Sequence, residues 1–524
     1  METKLTTTGR WLALSAAMLG WMFDGLEMGL FPLAARPALQ EVLFAASDAE
    51  NNIDATTISA EEKSRREGLV GSWFGIMTAG FLVGAATGGV LFGWLGDRLG
   101  RVRAMALSVL VYALFSGLCG FANSASMLFL WRFIASLGMG GEWALGVALV
   151  MELWPANSRG WLAGLIGAAA NVGFVLIAIV SMGLNEFVGS LESLLLTIGV
   201  SESYTLKLTA NHGWRLLMLY GAAPALLTFF IRVFVPESER WLEEQTKGST
   251  SHWATSDLLG VLIGSMGPLG MIYLWATPEV SWLIRFGASV PLLGLAIAGY
   301  IYPVRRYLQR AGLQAAAGDT SLQAVGGTSV IRMMLIGAAL SGIALMGSWG
   351  SLQWAAPWAG QLAEQQGGVI HAREWTQIVI GIGAIVGTIL AAVTGHLYGR
   401  RLTYVAMCIL SLASILAFYQ LNDAYGTMFL MTAFIAGATT ASFYGWLPLY
   451  LPELFPTKVR ATGQGFSFNF GRILAAAGSL QTGALMAQFD GSYPEACSIM
   501  AFIYLIGVGV IWLAPETRGL GLPK

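Results

Sequence analysis

Apolar runs of about 18 residues or more recur along this whole chain, and each is long enough as a helix to cross roughly 30 Å of hydrocarbon. No other feature restricts the fold so tightly, because a segment in lipid must satisfy its own backbone hydrogen bonds. Of 524 residues, 56% are hydrophobic and 11% charged, where a soluble protein carries about a quarter charged. Scarcity of charge therefore says more than the net charge of −1. A soluble helical repeat would show a polar face on each helix. These runs show none, so the chain reads as an all-α, polytopic membrane protein.

Fourteen spans are expected, at 11–33, 69–95, 104–122, 126–151, 161–184, 215–235, 258–276, 282–303, 330–356, 375–397, 403–421, 425–451, 462–487 and 493–514. The first contains Asp24 and Glu27 and no small-residue cleavage site follows it, so it reads as a retained span rather than a signal peptide. Cys119, Cys408 and Cys497 lie inside apolar runs at unrelated spacings, as small hydrophobes facing core or lipid and not as a disulfide or metal site. Lys and Arg concentrate on one side of the spans, which places both termini in the cytoplasm and the protein in the plasma (inner) membrane. Segment 37–67 runs against this bias with Lys63, Arg65 and Arg66. Those lie among Asp48, Glu50, Asp54, Glu61, Glu62 and Glu67, as in a solvated external segment.

Short charged segments recur between the spans. ELWPANSR and ELFPTKVR each carry Glu, then Pro three on and Arg seven on: Glu152, Pro155, Arg159 and Glu453, Pro456, Arg460, at an offset of 301. The loop from Gly93, GWLGDRLGR, has a worn copy from Gly395, GHLYGRR, at an offset of 302, and PESER from Pro236 recurs as PETRG from Pro515 at 279. The chain is thus a duplicated object with six spans in each half. Spans 258–276 and 282–303 match neither half and read as an inserted hairpin on the periphery, which divides the chain into 1–236, 237–329 and 330–524.

The loop from Gly93 carries the chemistry of a switch. Gly93 and Gly100 permit a tight turn, Asp97 can pair with Arg101 or cap the next helix, and Arg98, Arg101 and Arg103 hold the loop at the inner surface. A solvated turn would need only the positive charges. Duplication of the loop favours a pair of latches.

These motifs resemble those of the major facilitator superfamily. GWLGDRLGR is similar to its loop between spans 2 and 3. WRFIASLGMGGEW followed by ELWPANSRG, and PESERWL with Arg240, resemble segments of sugar and metabolite porters. LPELFPTKVRATGQGFSFNFGR resembles the loop 10–11 segment of metabolite:proton symporters. The resemblance covers all but the hairpin. It implies two six-helix bundles related by a pseudo-twofold axis, with Glu152, Arg159, Arg240, Arg400, Glu453 and Arg460 in the gating set. Two departures matter: Val102 stands where a basic residue is usual, and the copy at Gly395 lacks the Asp-Arg pair, which weakens the second latch. Fourteen spans is a feature shared with sialic-acid permeases and with a class of drug–proton antiporters. Those antiporters carry a Gly-Pro signature in the fifth span, absent here, so import is favoured.

Charged side chains within a membrane cost about 2.5–3.5 kcal/mol each on insertion scales, which makes them functional suspects. Asp24 and Glu27 are three apart on one helix face, and Arg132 and Glu142 share the fourth span. The resemblance implies that Asp24 faces Arg132 across the pathway and exchanges a proton as access alternates. A static buried ion pair that fixes helix packing is the plainer alternative. Glu27 is a second protonation site or a neighbour of the aqueous cavity. For the solute, the resemblance points to the midplane between the halves. Trp143 and Asn171 are offered by one half, and Trp349, Gln353, Trp354, Tyr444, Asn469 and Arg472 by the other. Amides and flat rings suit polyhydroxylated or carboxylated solutes, and Arg472 can grip a carboxylate with two hydrogen bonds. Each aromatic alone fits packing or an interfacial belt equally well.

No nucleotide loop, metal-ligand cluster or nucleophile–base spacing occurs. Runs such as Gly84–Gly88 and Gly381–Gly383 are read as small residues that let helices approach. His212, His252, His371 and His396 lie in or beside loops, which disfavours a histidine proton relay. The expected protein is therefore not an enzyme and uses no cofactor, metal or nucleic acid. It is a monomeric secondary transporter, embedded in the lipid bilayer, that imports a small-molecule substrate such as a sugar acid or organic acid together with protons. The alternatives are a facilitative uniporter of neutral sugars, which a protonophore would not affect, and a solute sensor that does not transport.

Overall fold

The computed structural model describes residues 7–50, 59–224, 227, 230–231, 234–248, 252–277, 279–316, 327–369, 371–489 and 492–523. Eighteen α-helices follow in order among them: α1 Thr7–Glu50, α2 Ala60–Leu99, α3 Arg101–Cys119, α4 Ala125–Leu153, α5 Arg159–Thr197, α6 Glu202–Tyr220, α7 Glu239–Thr246, α8 Leu258–Ala276, α9 Trp282–Ala316, α10 Gly327–Gly350, α11 Ala355–Gln365, α12 Ala372–Tyr398, α13 Arg400–Gln420, α14 Thr427–Ala441, α15 Phe443–Tyr450, α16 Arg460–Gln488, α17 Tyr493–Ala501 and α18 Ile503–Val510. Eleven helical segments among the described residues are long and apolar enough to cross a membrane. The protein is a multi-pass integral membrane protein.

Two of the helices outrun the apolar stretches that announce them. α1 has 44 residues, about 66 Å at 1.5 Å per residue, and α5 continues from the expected span 161–184 to Thr197. Segment 37–67 is therefore not a solvated loop: it is helical to Glu50 and again from Ala60, with 51–58 outside the described residues. Side chains explain the continuation. Glu41 accepts hydrogen bonds from Trp214 Nε1 at 2.8 Å, Asn211 Nδ2 at 2.7 Å and Arg215 Nη2 at 2.7 Å, which ties α1 to α6. Arg66 bridges α2 to Asp48 of α1 at 2.6 Å. Ser59 caps α2 by accepting from the Glu62 amide. Hydrogen bonds from Arg65 and Arg66 hold the Glu62 carboxyl down at about 2.

Helices α1–α6 pack on one another, and helices α10–α18 do the same. The two groups meet along two seams, α2 against α16 and α5 against α12. Close approach rests on the small-residue runs: a Cβ added to Gly88 would overlap the Leu137 carbonyl of α4, and one added to Gly383 the Phe434 carbonyl of α14. Between α14 and α15 the chain breaks at Ser442, whose hydroxyl turns back to the Thr439 carbonyl at 2.5 Å. Arg232, expected within a span, lies outside the described residues.

α8 and α9 form a helical hairpin against α2. Its outward face is apolar and bare, with Met266, Tyr273 and Val290 exposed. Its inner face is bound into the α2–α16 seam. Tyr300 shares a hydrogen bond of 2.7 Å with Thr87 and meets Phe470 edge-on, and Ile272 packs with Ala79, Val83 and Ala476. At its base Arg310 binds the Asp257 carboxylate, and Trp253 stacks on Tyr307 at 4.4 Å.

Candidate functional site

The two repeated loops lie at one end of the molecule, each at a turn where a glycine takes a backbone conformation closed to side chains: Gly100 at φ 109° and Gly399 at φ 106°. Each glycine is followed by an arginine that folds back on the preceding helix. Arg101 Nη1 donates to the Gly96 carbonyl at 2.7 Å, and Arg400 Nη1 to the Gly395 carbonyl at 2.8 Å. This equivalence corrects the expected register. Gly395 is the partner of Gly96, not Gly93, at an offset of 299, so His396 occupies the place of Asp97. The third repeat caps the helices that follow: Glu237 accepts from the amides of Arg101 and Val102, and Glu516 from those of Arg400 and Arg401.

Asp97 is fully enclosed and joins the two helix groups. One oxygen accepts from Arg101 at 2.8 Å; the other accepts from the Thr462 amide at 2.9 Å and hydroxyl at 2.6 Å, at the start of α16. The dipole of that helix favours the anion. Arg101 also reaches Glu152 at 3.3 Å and the Thr457 carbonyl at 2.8 Å. Glu152 in turn accepts from Arg460 at 2.8 Å and binds the Ser238 hydroxyl. Arg460 further donates to the Pro523 carbonyl at 2.6 Å. On the other side, Arg400 donates to both oxygens of Glu453, at 3.0 and 2.6 Å, and Thr517 adds a third bond at 2.6 Å. Arg159, the counterpart of Arg460, makes no ion pair within 4 Å among the described residues, and its Nε has no partner. Arg98 lies over the Trp94 ring and bonds Thr255 below the hairpin. Arg240 lies near enough to Arg159 and Arg460 to repel both.

Deeper in, the first and fourth helices place four charges. The resemblance implied Asp24 opposite Arg132, and the structure corrects this. Arg132 Nη1 donates to Glu27 at 2.5 Å, with the guanidinium over Phe31 and Phe81 at 4.4 and 4.8 Å. Asp24, one turn away, faces Glu142 of α4 and feels the charge of Arg472 of α16. Helical spacing puts Asp24 and Glu27 on one face, yet the depth at which α4 crosses α1 decides which acid the arginine meets. The glutamate fits because Gly20 leaves room: a Cβ there would overlap the Glu142 carboxyl. Neither oxygen of Glu142 receives a donor from any described residue. Two carboxyls facing one another are joined only when one carries a proton. Tyr112 of α3 is fully buried, its hydroxyl unpartnered among the described residues.

Arg472 is 5% exposed, its Nη1 has no hydrogen-bond partner among the described residues, and it lies over Phe468 at 5.4 Å. Phe468 stacks face to face with Trp143 of α4 at 3.8 Å and 2°, so an aromatic pair bridges the helix groups. Trp21 stacks behind Trp143 at 5.7 Å, and Tyr444 meets Phe468 at 6.4 Å while sharing a hydrogen bond of 2.8 Å with Ser348. Trp349 packs beside Tyr444. Asn469 is fully buried and donates to the Gly140 carbonyl of α4 at 2.9 Å, which makes it an inter-helix tie. Asn171 donates to its own helix at Gly167. Gln353 and Trp354 are not part of this group: they lie past the end of α10, Gln353 exposed and Trp354 against Tyr493. The chain turns there at Ser351 before α11 begins, within the apolar span Ser329–Ala363 that contains the expected 330–356. Trp21 and Phe468 were not anticipated, although Trp21 is three residues from Asp24 and Phe468 four from Arg472, both same-face helical spacings.

Comparison with known proteins agrees with this architecture. A putative metabolite transport protein of Haemophilus influenzae is 25% identical, covering all of both chains. The niacin transporter NiaP of Acinetobacter baylyi is 24% identical over 96% of this chain and 93% of its own. Among solved structures, the proton:xylose symporter XylE of E. coli, bound to 6-bromo-6-deoxy-D-glucose, superposes with a TM-score of 0.65 at 18% identity, covering 99% of this chain and 98% of that one. These relatives are transporters and not enzymes. Residues 18–263 and 365–524 match the sugar (and other) transporter family, leaving the intervening stretch unmatched. The chain belongs to that family, within the major facilitator superfamily.

Proposed function

We propose that this protein imports a small carboxylate-bearing metabolite, a sugar acid or related organic acid, together with protons. The observation that carries the reading is the burial of Asp24 beside Glu142 of its own helix group and within electrostatic reach of Arg472 of the other. A proton shared by Asp24 and Glu142 keeps that pair compatible with burial, while an approaching solute carboxylate competes with Asp24 for Arg472. Solute and proton thus favour each other: the anion occupies the guanidinium, and Asp24, deprived of its cation, holds the proton. Closure is supplied by the latch around Asp97, Arg101, Glu152 and Arg460 at the end we assign to the cytoplasm, with the helix groups rocking about the central residues. In this reading the groups are two six-helix bundles, 1–236 and 330–524. The α8–α9 hairpin, inserted within 237–329, brings the spans to fourteen, and the transporter works as a monomer.

The names of the relatives support solute transport: one carries niacin, and the structural neighbour couples xylose to protons. In proteoliposomes, an imposed pH gradient should drive accumulation that collapses with a protonophore. Asp24→Asn should abolish accumulation and spare counterflow exchange. Accumulation by Asp24→Asn at the wild-type level would retire the coupling role. Indifference to the protonophore would favour the uniport alternative.

A further inference from the structure

Three features of the central seam bear on the shape of carboxylate it accepts. Trp143 belongs to α4 and Phe468 to α16, so the face-to-face stack at 3.8 Å must part whenever the two helix groups rock. Parting exposes two flat apolar faces, and a lost aromatic pair forfeits about 0.5–1.5 kcal/mol beyond its buried area. A planar ring entering between them restores both contacts. A puckered polyhydroxyl ring does not, and it brings hydroxyls that need partners of their own.

The amide donors there are committed, while the carbonyl oxygens Asn469 Oδ1 and Gln464 Oε1 are unpartnered among the described residues. The Asn469 amide donates to the Gly140 and Gly465 carbonyls at 2.9 and 3.1 Å. Gln464 donates to the Ala144 carbonyl and Asn171 to that of Gly167. By contrast, three donors suited to an anion are buried without partners among the described residues: Arg472 Nη1, Trp21 Nε1 and Trp143 Nε1, on side chains 5%, 2% and 4% exposed. The guanidinium lies 5.4 Å over the Phe468 ring, at the edge of the slot that the parted stack would leave.

We infer that the solute is a planar aromatic or conjugated monocarboxylate, its ring slotted between Trp143 and Phe468 and its carboxylate held by Arg472. The inference rests on the symport reading for the place of the site and, among its carboxylate-bearing solutes, selects flat organic acids over sugar acids. The closed Trp143–Phe468 stack then acts as a stand-in for the solute ring, which keeps the seam sealed when the site is empty.

The test is thermal unfolding of the purified full-length protein with four probes at matched concentrations: benzoate, nicotinate, nicotinamide and glucuronate. Benzoate and nicotinate are expected to raise Tm, and the neutral nicotinamide and the puckered glucuronate to raise it little. Phe468→Leu should weaken benzoate about tenfold, near the upper end of an aromatic pair's worth, while Phe468→Tyr retains it. Arg472→Gln should abolish the benzoate shift. Glucuronate protecting more than benzoate, no shift with any probe, or equal loss of benzoate in Phe468→Leu and Phe468→Tyr would overturn the inference. Glucuronate binding with proton-driven uptake would sink the planar slot and leave symport standing. Benzoate bound in the slot but moved without protons would do the reverse.

Discussion

The Asp97 loop and the His396 loop share their two glycines and the arginine that follows, and their ion pairs diverge where one has an aspartate and the other a histidine. With Asp97 present, Arg101 divides its donors between Asp97 and Glu152, and the Glu152 oxygen it reaches also accepts from Arg460 of the other helix group. With His396 in that place, Arg400 keeps its bond to the Gly395 carbonyl and turns its other donors to the two oxygens of Glu453, and Arg159 is left without a bridge among the described residues. The His396 side chain instead packs against Gly160 at the start of α5. Loss of one carboxylate has removed the cross-link from one side of the pseudo-twofold and kept it on the other. Under the proposed alternating access, this end has one strong clasp, not two.

The comparison breaks most readily at the acid itself. Asp97→Asn leaves Arg101 enclosed beside an uncharged amide, and removing one partner of a buried pair costs about 3–5 kcal/mol. His396→Asn should shift stability by less than about 0.5 kcal/mol. Denaturant unfolding in detergent measures both, and equal losses would mean the two loops carry equal load. The arginines come next. Arg460→Gln should cost about 3 kcal/mol and Arg159→Gln under about 1 kcal/mol, with labelling of cysteines introduced at the latch end rising only in the first. Similar labelling in both would contradict a one-sided clasp.

His396→Asp sharpens the comparison by restoring the acid beside Arg400 and the α5 N-terminus. A gain of about 1 kcal/mol is expected, as for a carboxylate at a helix start, with slower turnover because a second clasp must open. Faster turnover with lower Tm would show that the histidine has a task of its own.

The smallest effect is on pH. Burial raises the Glu237 carboxyl despite its amide donors. At Glu516 burial pushes the same way, but the amides of Arg400, Arg401 and Arg518 outweigh it and lower the carboxyl. The signs therefore oppose. The Glu516 cap stabilises above the unfolded value of 4.5 and fades as pH falls through its lower folded value. The Glu237 contribution is full below 4.5 and is lost as pH rises through its higher folded value. On acidification, hydrogen exchange at the first turn of α13 should accelerate relative to that of α3. The opposite order would assign the caps wrongly.

Much of this was legible in the sequence, and the gaps have physical causes. The echo of Glu152 and Glu453 pointed to the ion pairs at one end of the molecule, because charged residues between apolar spans have few other places to go. The register of the glycine loops misled: GWL and GHL match by letter, whereas the equivalence is set by the left-handed glycine and the carbonyl its arginine reaches. Arg472 stood out as a mid-span cation. Its neighbours Trp21 and Phe468 did not, since aromatics are ordinary in such spans and only their spacing to Asp24 and Arg472 marks them. The resemblance pairs Asp24 with Arg132, whereas the structure pairs Arg132 with Glu27, because the sequence does not report how deep two helices cross. The far end of α1 was missed because hydropathy stops where ion pairs take over.

Proton movement coupled to solute through Asp24 is the claim on which the functional account stands. A pH-sensitive dye trapped in proteoliposomes reports it directly. An inward gradient of the best-protecting carboxylate is applied without an imposed pH gradient, and protein-free vesicles are subtracted for passive entry. The interior should acidify with the wild-type protein and stay constant with Asp24→Asn, although that variant still exchanges solute. Solute entry without acidification in the wild type, or undiminished acidification in Asp24→Asn, would contradict the account.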